Sequence, residues 1–293
     1  MKYENKVKVQ DCDINVYTEG SGAVTVVFLA GNGVTAPALE YRPLYSRMSS
    51  YCRIAVIDRP GTGFSSDKTS RRTVENMVAE DREALRLAGI EPPYVLAAHS
   101  LGGFEAVWWA NRYPEEVKAV LGVDMGVPEY GVEQGKDIPE SKRISMVRRQ
   151  EKMMKTIAKD GFLARLLRNS AENSSGLLTG SELTEEEKKL YRELFYKNVA
   201  RPESSEQAEL IPENAQKAHD TGNLGCRCCM YISNMKVPGM KTTWRRAGIA
   251  FAERCGAEYH LSDKGHMMYA KIPDEMAENF LKFLRTNGII SAE

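Results

Sequence analysis

Residues 95–106 read VLAAHSLGGFEA: an apolar run stops at His99-Ser100 and restarts after two glycines. A buried strand that delivers a serine into so tight a turn, and opens a helix at once, holds the hydroxyl at the carboxyl edge of a sheet. That is where open α/β sheets bind ligands. The turn admits only small residues two before and two after the serine, and here those are Ala98 and Gly102, with Gly103 next. The helix that opens at Leu101 adds a partly positive end, whose first backbone N–H groups point at whatever meets the serine.

The rest of the chain supports such a sheet. Residues 7–20 alternate as a pair of strands, and 23–31 form a buried, β-branched strand closed by glycine. PALEYRPLYSRMS reads as a first helix and RIAVID (53–58) as the next strand. From Thr73, Val74, Met77, Val78, Ala84, Leu85 and Ala88 recur at helical spacing until Gly89 stops the run. Strands at 94–99 and 117–124 flank the helix LGGFEAVWWANRY, strand signals return at 229–233 and 257–263, and a final helix runs from Pro273 through Leu284. This order predicts an α/β fold with a mostly parallel, eight-stranded sheet covered by helices on both faces.

Between about 127 and 224 the alternation fails, and the segment is polar and helical, with a capping box at Thr184 and Glu187. The expected organisation is a core of 1–126 and 225–293 with a helical cap inserted at 127–224. Residues 136–170 hold ten Lys/Arg against four Asp/Glu, and 171–220 hold six against eleven. Solvated helix faces pairing across the insertion account for this; a basic lip over a pocket is the sharper reading.

Lys+Arg and Asp+Glu both number 40, so no long-range field draws the chain to nucleic acid or a membrane. MKYENKVKVQ has no apolar core of a leader, and no stretch gives 18 uninterrupted apolar residues. A cytoplasmic protein acting on a small molecule is expected. Six cysteines are too few for a disulfide scaffold in 293 residues. Cys226, Cys228 and Cys229 crowd into GCRCCMYIS, which reads as a strand with buried thiols; no second Cys pair or His cluster stands at a ligand spacing, so no metal is expected.

A-H-S-L-G-G resembles the nucleophile elbow of the α/β hydrolases, usually written G-x-S-x-G, with Ala98 in place of the first glycine. Three further motifs arrive in family order. LAGNGV (29–34) is similar to the oxyanion loop, with Ala30 where histidine is common. DRPGTGFSS (58–66) resembles the D-x-x-G-x-G-x-S turn, whose Gly61 and Gly63 are structural. DKGHMM (263–268) places His266 in a Gly-His turn before the last helix, as the family's general base. Of the other histidines, His99 lies inside the elbow, His219 in the insertion and His260 within a strand. The resemblance covers about two thirds of the chain, everything but the insertion, and implies a capped serine hydrolase. It makes Ser100 the nucleophile and the N–H groups of Asn32 and Leu101 the oxyanion donors. Gly31, His99 and Met267 are expected to border the substrate.

The acid departs from the family pattern. Its usual place follows the strand CMYISNMK, which offers Ser233 and Asn234 but no carboxylate. An amide there could hold the imidazole in the wrong tautomer, a change that costs on the order of ten-thousandfold. Asp124, at the end of VKAVLGVD, is the chosen acid, since some serine hydrolases of this fold place theirs there; Asp263 is the reserve. The expected reaction is cleavage of a carboxylic ester through an acyl-enzyme, without metal or organic cofactor. Met153, Met154, Phe162, Leu166 and Leu167 would suit an apolar group, or serve as ordinary cap core. An aminopeptidase or amidase of the same fold, or a homologue that binds without turnover, are the alternatives.

Overall fold

The computed structural model describes residues 2–67, 70–159 and 176–291. Its strands are β1 (Lys6–Val9), β2 (Cys12–Glu19), β3 (Thr25–Leu29), β4 (Arg53–Asp58), β5 (Tyr94–Ser100), β6 (Val117–Met125), β7 (Arg227–Ile232) and β8 (Glu258–Leu261). They form one eight-stranded sheet in the order β1-β2-β4-β3-β5-β6-β7-β8. β1 and β2 are antiparallel, and from β4 to β8 every pairing is parallel.

The parallel strands are apolar on both faces because both faces are covered. Val26, Phe28, Val95 and Ala97 point into one core; Val27, Leu29, Leu96 and Ala98 point into the other. The first core is closed by α2 (Arg42–Met48) and the C-terminal helix, the second by α3 (Val74–Leu87), α4 (Gly102–Arg112) and the helix before β8. The expected first helix is two: α1 (Pro37–Glu40) ends at Tyr41 before α2 begins. Pro43 has no N–H to return to the preceding turn, so it fits only in the first turn of a new helix and α1 does not continue into α2.

Between β6 and β7 lie α5 (Pro128–Asp137), α6 (Glu140–Ala158), α7 (Glu185–Asn198), α8 (Pro202–Glu209) and α9 (Ile211–Asp220). The Thr184–Glu187 capping box starts α7 as the sequence indicates. On α6 only Val147 and Ile157 are buried, so most of its basic residues face water. Among the described residues, several ion pairs run from the insertion to the core, among them Glu182 with Arg47 (2.9 Å), Glu213 with Arg71 (2.9 Å), Lys217 with Glu75 (2.9 Å) and Arg201 with Asp67 (2.6 Å). Among the described residues, the remaining α-helices are α10 (Trp244–Cys255) and α11 (Pro273–Thr286). Among the described residues, no helix is long and apolar enough to cross a membrane.

Candidate active site

β5 ends on Ser100 in the left-handed region, with φ 50°. A non-glycine residue rarely sits there without cause; here the turn swings the chain directly from strand into α4. The glycines around it are set by close approach. A Cβ on Gly31 would lie 2.5 Å from the Ser100 Cβ, and one on Gly102 would lie 2.6 Å from the carbonyl oxygen of Leu29. A Cβ on Gly103 would collide with the Gly126 carbonyl. The helix N-terminus therefore presses against the ends of β3 and β6, and only hydrogen fits in the gaps. Leu101, at the N-cap, brings no side-chain cap to the first turn.

Asp124 is placed by an irregularity. His99 faces Val123 across the β5–β6 pair, but Ser100 faces Met125, so Asp124 is an extra residue, also with φ 50°. Such a bulge re-aims one side chain, and Asp tolerates the left-handed region better than most residues. The Asp124 carboxylate is fully buried, and three donors meet it: His266 Nδ1 at 2.5 Å on Oδ2, and the Ser233 N–H (2.7 Å) and Trp244 Nε1–H (2.8 Å) on Oδ1. The position that usually supplies the acid thus supplies a backbone donor to it. Asn234 is exposed, and Asp263 pairs with Arg245 at 2.7 Å. The His266 side chain keeps 24 % exposure, with the Trp244 ring edge-on at 5.5 Å. No periodicity announces Trp244; the capping threonine before it marks only a helix start.

The other expected site residues divide. Asn32 borders two crevices, one with Val147, Met154, Val199 and Ala208 of the insertion, the other with Arg59, Arg72 and Gln207. Its Oδ1 accepts from Ser204 Oγ on α8 at 2.8 Å, a contact the sequence did not signal. Gly31 abuts the elbow, and half-buried Met267 accepts a hydrogen bond from Tyr269 through its sulfur at 3.4 Å. His99 departs from expectation: it is only 3 % exposed, with Nδ1 3.1 Å from the Tyr41 hydroxyl and Nε2 3.3 Å from the His266 carbonyl oxygen. Both ring nitrogens are taken by protein, so it stands behind the site and not at its open face. Burial, then the neighbouring His266, hold its pKa well below the usual imidazole range. Met153 is exposed and Met154 lines the first crevice, while Phe162, Leu166 and Leu167 lie outside the described residues.

The D-x-x-G-x-G-x-S turn is structural, as read. Buried Asp58 accepts from Asn15 Nδ2 (2.8 Å) and the Phe64 N–H (3.0 Å), and burial raises its pKa to about 6. A Cβ on Gly63 would collide with that carboxyl group. Arg59 Nη1 donates to the Ala30 carbonyl at 2.7 Å, which ties this turn to the loop carrying Asn32. Behind it, Arg59 Nη2 approaches the fully buried Glu105 at 2.6 Å.

Among the described residues, one set of metal donors comes together that sequence spacing missed. Cys229 and Glu258 are register partners on β7 and β8, His260 lies two residues on, and their donor atoms fall within 4.8 Å of one another. The pairing joins residues far apart in the chain, so no local motif shows it. The set is a poor chelator: burial raises the Cys229 thiol to about 12, Glu258 is more than half exposed, and it sits at the sheet edge. All six cysteines are free, and Cys228 and Cys229 are buried as read.

YbdG, an uncharacterized protein of Bacillus subtilis (strain 168), is 36% identical over 191 residues, which is 65% of this chain and 56% of YbdG. The pimeloyl-[acyl-carrier protein] methyl ester esterase of Hamiltonella defensa is 31% identical over 107 residues, 36% of this chain and 38% of the esterase. The matches thus span little more than half of YbdG and well under half of the esterase. The crystal structure of the enol-lactonase from Burkholderia xenovorans LB400 superimposes with a TM-score of 0.65 at 16% identity, covering 96% of this chain and 99% of that one, and shares its fold. The family model for the alpha/beta hydrolase fold matches residues 36–226, from the loop before α1 to the start of β7. The chain belongs to the alpha/beta hydrolase fold family.

Proposed function

We propose that this protein is a serine hydrolase that cleaves a carboxylic ester of a small or medium-sized, partly apolar substrate through an acyl-enzyme. One observation carries the reading: His266 bonds buried Asp124 through Nδ1 at 2.5 Å, and Asp124 lies on the strand paired with the one that ends on Ser100, held at φ 50° on a strand-to-helix turn. That bond commits Nδ1 as donor and leaves Nε2 as the base. Ser100 Oγ attacks the ester carbonyl as His266 Nε2 takes its proton, and the Asn32 and Leu101 N–H groups receive the developing oxyanion. The C–O bond then breaks, with the proton passing from His266 to the leaving alkoxide. Water attacks the acyl carbon as His266 takes one of its protons; the bond to Ser100 Oγ then breaks, His266 returns the proton to Oγ, and the carboxylic acid leaves.

The insertion at 127–224 acts as the cap. Its Val147, Met154, Val199 and Ala208 give the crevice beside Asn32 an apolar wall. An esterase among the sequence relatives and a lactonase among the structural ones support an ester substrate, as both act at a carbonyl bonded to oxygen. Intact-mass detection of a fluorophosphonate adduct tests the reading without the natural substrate. Wild type should gain one adduct and Ser100→Ala none; folded wild type that stays unlabelled would sink the proposal. A matched ester and aminoacyl anilide then decide between esterase and amidase.

A further inference from the structure

We propose that Tyr41 and His99 are positioning residues, forming a one-way hydrogen-bond chain that locks the loop carrying Asn32 to the loop carrying His266 and admits one His99 tautomer. The proposal rests on the reading of those two loops as oxyanion and base loops, and extends it to residues that meet no substrate. The Gly31 N–H lies 3.2 Å from the Tyr41 oxygen, and an N–H can only donate. The Tyr41 oxygen therefore accepts, and its single proton is directed to His99 Nδ1 at 3.1 Å. At the far side of the ring Nε2 stands 3.3 Å from the His266 carbonyl oxygen, which can only accept. Nε2 must carry the hydrogen, and Nδ1 must be bare.

Each link then has one donor and one acceptor. The opposite tautomer would set a nitrogen lone pair against the His266 carbonyl and leave the tyrosine proton without a partner. In a site this buried, two such mismatches oppose ring flipping and hold the register. Packing agrees: Tyr269 meets Tyr41 and His99, each at 5.1 Å and edge-on, so neither ring turns freely. The His99 and His266 rings lie 4.6 Å apart, so the imidazolium formed during acyl transfer faces a neutral ring. His266 is thereby held at three points: its carbonyl by His99, Nδ1 by Asp124, and its ring edge by Trp244.

Nitrogen-15 NMR of the imidazoles in the full chain reads the tautomer directly, with the His99 signals assigned by their loss in His99→Gln. Wild type should show His99 protonated at Nε2 alone, and Tyr41→Phe should show exchange between tautomers. In ester turnover Tyr41→Phe should lower kcat about tenfold, the scale of one lost buried hydrogen bond, with KM changed less than twofold. His99→Phe, which keeps a ring without donors, should lose at least as much; His99→Gln, whose Nε2–H still reaches the carbonyl, should recover part of it. An Nδ1-protonated or charged His99 in wild type overturns the proposal, as does a kcat unchanged in both Tyr41→Phe and His99→Phe. If wild-type Ser100 takes no fluorophosphonate while His99 shows the expected tautomer, the hydrolase reading falls and the lock between the loops stands.

Discussion

Asp124 and Glu105 are both carboxyl groups fully withdrawn from solvent, and the protein treats them in opposite ways. Asp124 has both oxygens occupied, by an imidazole, an indole N–H and a backbone N–H. The guanidinium paired with Glu105 is that of Arg59, whose approach lacks hydrogen-bond alignment, and Glu105 shares that cation with buried Asp81. Burial pushes the Glu105 carboxyl up from its ordinary range; Arg59 pulls it back, and Asp81 pushes it further up. Directional donors make a buried carboxyl into an orienting device. A single crowded cation makes one into a load on the fold.

The contrast can be broken most sharply at Asp124. Asp124→Asn should lower the fluorophosphonate labelling rate and kcat/KM on the order of ten-thousandfold, because an amide N–H facing Nδ1 enforces the wrong tautomer. A loss below tenfold, measured by labelling kinetics on folded protein, would place the acid elsewhere. Trp244→Phe keeps a ring against His266 but removes one donor from Oδ1. A hydrogen bond to a charged group is worth roughly 1.5–3 kcal/mol, so kcat should fall about ten- to a hundredfold in steady-state assays, with KM little changed.

The smallest effect on activity belongs to Glu105→Gln, which should leave turnover within about twofold. Its signature is stability. A carboxyl with a folded-state pKa above its unfolded value binds its proton more tightly when folded. Its contribution is therefore greatest at low pH and declines as pH rises from about 4.5, the ordinary glutamate value, through the raised pKa. Thermal melts from pH 5 to 8 should show a decline in wild type that is shallower in Glu105→Gln. Identical slopes would mean that Glu105 does not titrate in this range.

The core and the insertion were unequally legible. Alternation and short apolar runs, with glycine stops, located β3 to β8 to within three residues at either end and the outer ends of the β1–β2 pair to within one, the turn between those two being left open. The insertion showed its helices and the α7 cap, but its charge pairs depend on which core loop lies opposite each helix. Within the site, Ser100 was visible because an elbow needs small residues at fixed offsets, and those offsets are local. His266 emerged because the chain holds four histidines and only one lies in a turn before the last helix.

By itself, then, the sequence determined the alternating α/β fold, the elbow and the turn carrying His266, all of which rest on interactions between residues near in the chain. Tertiary structure decided the contacts, including that of Asp124, which the family resemblance had already singled out as the acid. Asp124 meets His266 across 142 residues only because a bulge in β6 turns its side chain, and Trp244 and Ser233 come from 120 and 109 residues away to complete its shell. His99, read as bordering the substrate, was turned inward by Tyr41 and the His266 carbonyl. Local propensity sets where a strand ends, but which way its last side chain points depends on the donors that packing brings to it.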